Sequence, residues 1–168
     1  MKKILLLLVV LFSIKGIIFS QTTPKFTLTK DGVSPVLLAF DGSLTADIIY
    51  KKVKEWAAKN PNTTIRIDQA NTQVKVGILK EKAWKVMDKN FENWYDLKYT
   101  LNIDIKDAKC RVTFDTPDVK YKVWFNKDGS IIKKYKDSKA SFEAAINESL
   151  TKLNKHITEQ KKVTKDEW

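Results

Sequence analysis

The run Leu97-Lys98-Tyr99-Thr100-Leu101-Asn102-Ile103-Asp104-Ile105 is followed, after Lys106-Asp107-Ala108, by Lys109-Cys110-Arg111-Val112-Thr113-Phe114-Asp115, and together they decide the fold. Apolar and polar residues alternate strictly in both, as in strands with one face buried and the other in water. A hairpin of the two is expected to set Ile103 opposite Cys110, Leu101 opposite Val112 and Tyr99 opposite Phe114 on the inner face. The same register places Asp104 opposite Lys109 and Lys98 opposite Asp115 outside. Opposite-charge pairs across strands stabilise by roughly 0.2–1 kcal/mol each. A slip of one residue would bury those charges, so the faces are strongly specified.

Upstream, Val36-Leu37-Leu38-Ala39-Phe40 reads as a buried strand closed by Asp41-Gly42. A helix follows, capped by Thr45, with Asp47 complementing its positive end. Its apolar stripe is Ile49, Val53, Trp56 and Ala57, and Asn60-Pro61-Asn62 stops it. Ile65 and Ile67, then Val74, Val76 and Ile78, alternate with polar residues around the turn Ala70-Asn71-Thr72, a register expected to set Asp68 opposite Lys75. Downstream of Thr116-Pro117-Asp118, Val119, Tyr121, Val123 and Phe125 alternate with Lys120, Lys122 and Trp124, predicting a further strand before the turn Asp128-Gly129. Ser138 is the expected cap of a last helix whose stripe is Phe142, Ile146, Leu150, Leu153 and Ile157. The order β-α-β(4 or more)-α predicts an α+β fold, an antiparallel sheet with two helices packed on one face.

The N-terminus reads as a secretory signal. Met1-Lys2-Lys3 precedes the apolar run Ile4 to Phe12, and Lys15 and Gly16 interrupt it. A spanning helix needs about 20 apolar residues, a signal core roughly 7–15. The expected cut lies between Ser20 and Gln21; an uncleaved anchor is the rival reading, and no cysteine near the end of the run is available to carry lipid. Export to the periplasm, the outer surface or the medium is therefore expected. Loss of residues 1–20 removes Lys2, Lys3 and Lys15, so the formal charge falls from +11 to +8. The expected organisation is a signal at 1–20, an N-terminal arm at 21–34, one α+β domain at 35–157 and a charged tail at 158–168. Cys110, the single cysteine, has no intrachain disulfide partner and reads as a small buried hydrophobe.

The helix segment Asp47-Ile48-Ile49-Tyr50-Lys51-Lys52-Val53-Lys54-Glu55-Trp56 and the later Leu101-Asn102-Ile103-Asp104-Ile105-Lys106-Asp107-Ala108-Lys109-Cys110-Arg111 carry a resemblance. They resemble an exported bacterial domain-of-unknown-function family with a TATA-box-binding-protein-like (TBP-like) fold, through Tyr50, Trp56, Lys106-Asp107 and Arg111, over roughly residues 36–115. Cys110 stands where an aromatic is common in that family. The resemblance implies the fold and brings no catalytic residues with it. It does not imply DNA binding, because fold is not function and an exported chain does not meet genomic DNA.

Few residues offer chemistry. His156 is the sole histidine, the five glycines form no phosphate-cradling loop, and no metal-ligand spacing occurs, so neither cofactor nor metal is expected. Carboxylate pairs such as Asp104 and Asp107 read as strand and turn residues. Among 31 basic residues only Arg66 and Arg111 are arginine. Lysine lacks the planar fork that phosphate and base recognition favours, so nucleic acid is a disfavoured partner. Two binding candidates stand out. Trp84, Met87, Phe91 and Trp94 have helical spacing and predict a helical insert or an aromatic patch. Lys120, Lys122, Lys133 and Lys134, with Trp124 directed outward, form a basic stretch suited to anionic ligands. The expectation is an exported, non-enzymatic binding module whose partner is an envelope protein, anionic polysaccharide or lipid head groups. The alternatives are an envelope hydrolase using a carboxylate pair, and an inhibitor or accessory subunit presenting its open sheet face.

Overall fold

The computed structural model describes residues 24–70, 72–88 and 91–159. The expected signal, its Ser20–Gln21 cleavage site and most of the charged tail lie outside them. The elements are β1 (Leu28–Thr29), β2 (Gly32–Val33), β3 (Val36–Ala39), α1 (Ala46–Lys59), β4 (Thr63–Gln69), β5 (Gln73–Asp88), β6 (Phe91–Lys106), β7 (Lys109–Asp115) and α2 (Lys136–Thr158). Short 3₁₀ turns at Tyr121–Trp124 and Lys133–Tyr135 separate β7 from α2. Strands β3 to β7 form one antiparallel sheet in the order β3-β7-β6-β5-β4, and β1 pairs with β2 beside it.

Alternation in sequence becomes burial in space. Leu97, Tyr99, Leu101, Ile103 and Ile105 of β6 lie on the inner face with Val74 and Val76 of β5, Cys110 and Val112 of β7, and Val36 and Leu38 of β3, all buried. Both helices cover this face. Ile49, Val53, Trp56 and Ala57 of α1 and Phe142, Ile146, Leu150, Leu153 and Ile157 of α2 are the predicted stripes, and each is buried. Thr45 caps α1, its side chain accepting the Ile48 N–H (3.4 Å). The chain has the expected α+β architecture, an antiparallel sheet with both helices on one face.

Several local expectations are corrected. The β6–β7 hairpin turns on two residues, Asp107 and Ala108, so Ile103 faces Val112, Leu101 faces Phe114 and Asp104 faces Arg111. That register differs by two residues from the expected one, which leaves every side chain on its face. The helix α1 entrance holds the tight turn. The Asp107 carboxylate accepts the Ala46 N–H (2.7 Å), the Ala108 N–H donates to Leu44 O (2.8 Å), and Ala108 O accepts the Phe40 N–H (2.7 Å). Ala108 takes φ +56° to do so. In β4, an irregularity between Ile65 and Ile67 sets Asp68 opposite Val74 rather than Lys75. Its carboxylate instead accepts the Tyr50 hydroxyl (2.6 Å) and pairs with Lys54 (2.8 Å) on α1. Strand β3 is an edge strand, buried only on alternate residues, with Leu37 in water.

The start of α2 departs from expectation too. The helix begins at Lys136, so Ser138 lies buried inside its first turn and does not cap it. The 3₁₀ turn at Lys133–Tyr135 runs straight into the helix and anchors Tyr135 by its ring, stacked on Trp124. A hydrophobic anchor has replaced a polar cap.

Residues 24–34, read from sequence as an arm, supply Phe26 and Leu28 to the core. Helix α2 treats this segment as a strand would. Asn147 Oδ1 accepts the Phe26 N–H (2.7 Å), Asn147 Nδ2 donates to Phe26 O (3.0 Å), and Glu143 accepts the Leu28 N–H (2.7 Å). Replacing Asn147 with alanine strands two partly buried backbone groups, each costing about 1–3 kcal/mol when unpaired. Asn147→Ala is expected to lower the urea-unfolding free energy by about 2 kcal/mol, with faster hydrogen exchange at Phe26; an unchanged midpoint would show that the clip contributes nothing.

Candidate functional site

The inner-face alternation of β6 extends upstream of Leu97 into Tyr95, and this carries the strand beyond the body of the sheet. Pairing of β4 with β5 ends at Ile78 and pairing of β7 with β6 ends at Thr100. From Trp84 to Asp88 and Phe91 to Tyr95, β5 and β6 pair with each other. The expected helical insert at Trp84, Met87, Phe91 and Trp94 is therefore the end of a long hairpin. Spacing of three and four residues arises there because the four side chains are shared between two paired strands, Trp84 and Met87 on β5 and Phe91 and Trp94 on β6. An irregularity at residues 81–83 lets the hairpin bend: Lys82 takes φ +45° and its N–H donates to the Asp96 carboxylate (2.9 Å). Helix α2 supports the bent strand, as Ser141 Oγ accepts the Lys85 N–H (3.1 Å) and Lys80 pairs with Glu148.

A column of aromatic rings ties the hairpin end to the segment before α2. Tyr95 stacks on Trp84 at 5.0 Å between centroids, Trp84 meets Trp124 at 5.2 Å, and Trp124 stacks on Tyr135 at 6.2 Å. Such pairs contribute about 0.5–1.5 kcal/mol each beyond area burial. Trp124 also meets Phe142 edge-on, and Phe142, Phe114, Tyr99 and Phe26 continue the contacts into the core. Trp124 is only 4% exposed, so the expectation that it points outward is corrected. Residues Tyr121–Trp124 form a 3₁₀ turn rather than a strand, and that turn rotates Trp124 inward and leaves Val123 in water.

The two candidates from sequence thus meet. Trp84 is half-buried within the column, while Phe91 (74% exposed) and Trp94 (48%) are free at the hairpin end. Lys120, Lys122, Lys133 and Lys134 are exposed beside the rings that finish the column, and Lys134 Nζ sits 4.8 Å from the centre of the Tyr135 ring. Lys85 lies over Trp94 (5.7 Å) and pairs with Glu92 (2.6 Å). Tyr95 (46% exposed), Tyr135 and Val123 were not singled out from sequence. Continuing the Leu97-Tyr99 alternation two residues upstream would have found Tyr95; Tyr135 carries no such local signal.

Elsewhere the polar groups are occupied with one another. On the open sheet face, Asp104 accepts Gln73 Nε2 (2.6 Å) and pairs with Arg111 (3.0 Å), and these partners hold its carboxyl below the usual range. A depression of about 550 Å³ lies there, lined by Leu37, Asp104, Lys106, Lys109, Cys110 and Arg111. Burial pushes the Cys110 thiol up to about 12, so it is protonated at neutral pH and a poor nucleophile. Burial also lowers His156, with Lys59 adding to the effect and Glu55, 3.9 Å away, opposing it. A smaller cleft of about 220 Å³ between α1, β5 and α2 is lined by Trp56, Asn60, Lys80, Glu148, Ser149 and Lys152. Hydrogen bonds from Lys152 and Lys80 hold Glu148 down to about 2. The carboxyls of Asp41, Asp68, Glu92 and Asp128 are likewise lowered. Among the described residues, no three His, Cys, Asp or Glu side chains are placed to hold a metal ion, and no helix is long and apolar enough to cross a membrane.

Two outcomes test this geometry. Because the folded pKa of Glu148 lies below its ordinary value of 4.5, its contribution to stability is complete above pH 4.5 and fades as pH falls towards 2. Urea unfolding of Glu148→Gln should be less sensitive to pH across that window than that of the parent chain. Trp124→Ala removes a buried indole from the column and should cost about 3–5 kcal/mol, with the hairpin end losing hydrogen-exchange protection first; uniform loss over the sheet would place Trp124 in the general core only.

Residues 41–122 match the family described as a domain of unknown function (DUF4468) with TBP-like fold. A crystal structure of a DUF4468 family protein from Bacteroides ovatus superposes with a TM-score of 0.52 at 11% identity, covering 77% of this chain and 88% of that one. A TBP-like protein from Parabacteroides distasonis gives 0.53 at 10% identity, covering 74% of this chain and 90% of that one. No curated protein matches the sequence.

Proposed function

We propose that this chain, whose residues 41–122 match the DUF4468 family with its TBP-like fold, is an exported, non-enzymatic binding module that engages its partner through the end of the β5–β6 hairpin and the lysine stretch beside it. The observation that carries this reading is the Trp84–Trp124 contact. It sets the base of the hairpin end against the segment, 40 residues on in sequence, that carries the lysines, and this supports reading the exposed rings and the lysines as one binding surface. Exposed apolar rings are costly in water, and clusters of them mark interaction surfaces. The charged n-region and short apolar run of residues 1–12 support export.

The competing readings draw less support. A carboxylate-pair hydrolase needs one acid with a raised pKa, whereas the carboxyls of Asp68, Glu92, Asp104 and Glu148 are lowered by hydrogen-bonded partners. An inhibitor presenting its open sheet face needs apolar residues there. Among the described residues that face carries Lys98, Thr100, Asn102, Asp104, Arg111 and Thr113, with Leu37 exposed and Leu79, opposite Lys98, half-buried.

Pull-down from cell envelope with the processed chain, at low and high salt, tests the proposal. Phe91→Thr/Trp94→Thr alters residues already in water and should leave the melting temperature within about 2 °C. Captured material should be lost with this variant and reduced for the parent chain at high salt. Equal capture by both proteins would move the binding site elsewhere.

A further inference from the structure

The hairpin end presents rings on both sides of a two-stranded ribbon. Trp94 lies across from Lys85 and Tyr95 across from Trp84, and consecutive residues of a strand point to opposite faces. Phe91, at the start of β6, is the most exposed large apolar side chain among the described residues. A flat partner, whether protein surface or sugar ring, covers one face of such a ribbon. A medium that surrounds the ribbon covers both. Trp and Tyr are the residues that favour the boundary between lipid and water, where an apolar ring and a polar tip are both accommodated.

The charges point the same way. Lys120, Lys122, Lys133, Lys134 and Lys136 are exposed on the segment that carries Trp124 and Tyr135, and attraction to an anionic lipid surface is supplied by lysine without arginine's fork. At the hairpin end, Lys85 and Glu92 neutralise each other, which lowers the cost of taking that stretch out of bulk water. Asp88, exposed at the end of β5, opposes approach to an anionic surface and must be outweighed by the lysines. The backbone edges of the ribbon need water or head groups as hydrogen-bond partners, so the depth of entry stops at the head-group layer.

Building on the binding reading above, we infer that the end of the β5–β6 hairpin is an interfacial anchor for an anionic lipid surface. Phe91, Trp94 and Tyr95 lodge among the head groups, and the lysines beside Trp124 and Tyr135 face the lipid phosphates. The aromatic column transmits the anchorage to the core, because Tyr95 is stacked on Trp84 and Trp84 meets Trp124 at a tilt.

Vesicle co-sedimentation of the processed chain, its signal removal verified by mass, tests the inference. The probes are phosphatidylglycerol/phosphatidylethanolamine vesicles and neutral phosphatidylcholine vesicles, at 50 and about 500 mM salt, where screening is strong. Binding is expected to anionic vesicles at low salt, with a blue shift of tryptophan emission that Trp94→Phe removes. Phe91→Thr/Trp94→Thr should weaken it about tenfold or more, and Lys120→Gln/Lys122→Gln/Lys133→Gln by a similar factor, about fivefold per lysine at most. Absence of binding, equal binding to neutral vesicles, or full binding by the hairpin variant overturns the inference. If vesicles fail while envelope pull-down still captures a protein through Phe91 and Trp94, the occupant is a protein and the binding reading stands. If both fail, the binding reading falls as well.

Discussion

The inner face of β6 is the constraint on which the rest of the molecule depends. Leu97, Tyr99, Leu101, Ile103 and Ile105 are all buried on a strand that pairs with β5 and, from Thr100 onward, with β7 as well. Full burial of a large apolar side chain stabilises by about 1.5–3 kcal/mol, so this one face outweighs any surface ion pair in the protein. Its period of two dictates which faces of β5 and β7 turn inward. It also dictates where the stripes of α1 and α2 must lie.

From that face the packing runs outward along aromatic rings. Tyr99 stacks on Phe114, Phe114 meets Phe26 and Phe142, and Phe142 meets Trp124. The N-terminal segment and the hairpin end are therefore attached to opposite ends of one continuous aromatic structure. Polar clips finish each attachment: Asn147 on the backbone of Phe26, and Ser141 on the backbone of Lys85. Helix α2 supplies both. A single helix thus substitutes for missing strand neighbours at two places, and this allows β5 and β6 to extend past the sheet without losing support.

The distinction between what was legible and what was not follows from range. The stripes of both helices, the cap at Thr45, the burial of Cys110 and the faces of β6 and β7 depend on nearest neighbours along the chain, and all were readable. The hairpin register differs from the expected one by two residues because turn length is decided by contacts with Leu44, Ala46 and Phe40, more than 60 residues upstream. Ser138 had the chemistry of a cap, but Tyr135 already had a ring to stack on. At residues 84–94 the helical spacing was an accident of two strands read as one line. For Trp124 a strand was expected, and a 3₁₀ turn reversed its direction.

The sequence by itself determined the α+β class, the inward and outward residues of the central hairpin, and the two helical stripes. These are properties of period, and period is written locally. Only the tertiary structure decided that Trp84 and Trp124 meet, that Trp124 is interior, and that the base of the hairpin end lies against the segment that carries the lysines. Those outcomes rest on contacts between residues 11 to 40 positions apart, Trp124 with Tyr135, Phe142 and Trp84, which no local pattern encodes.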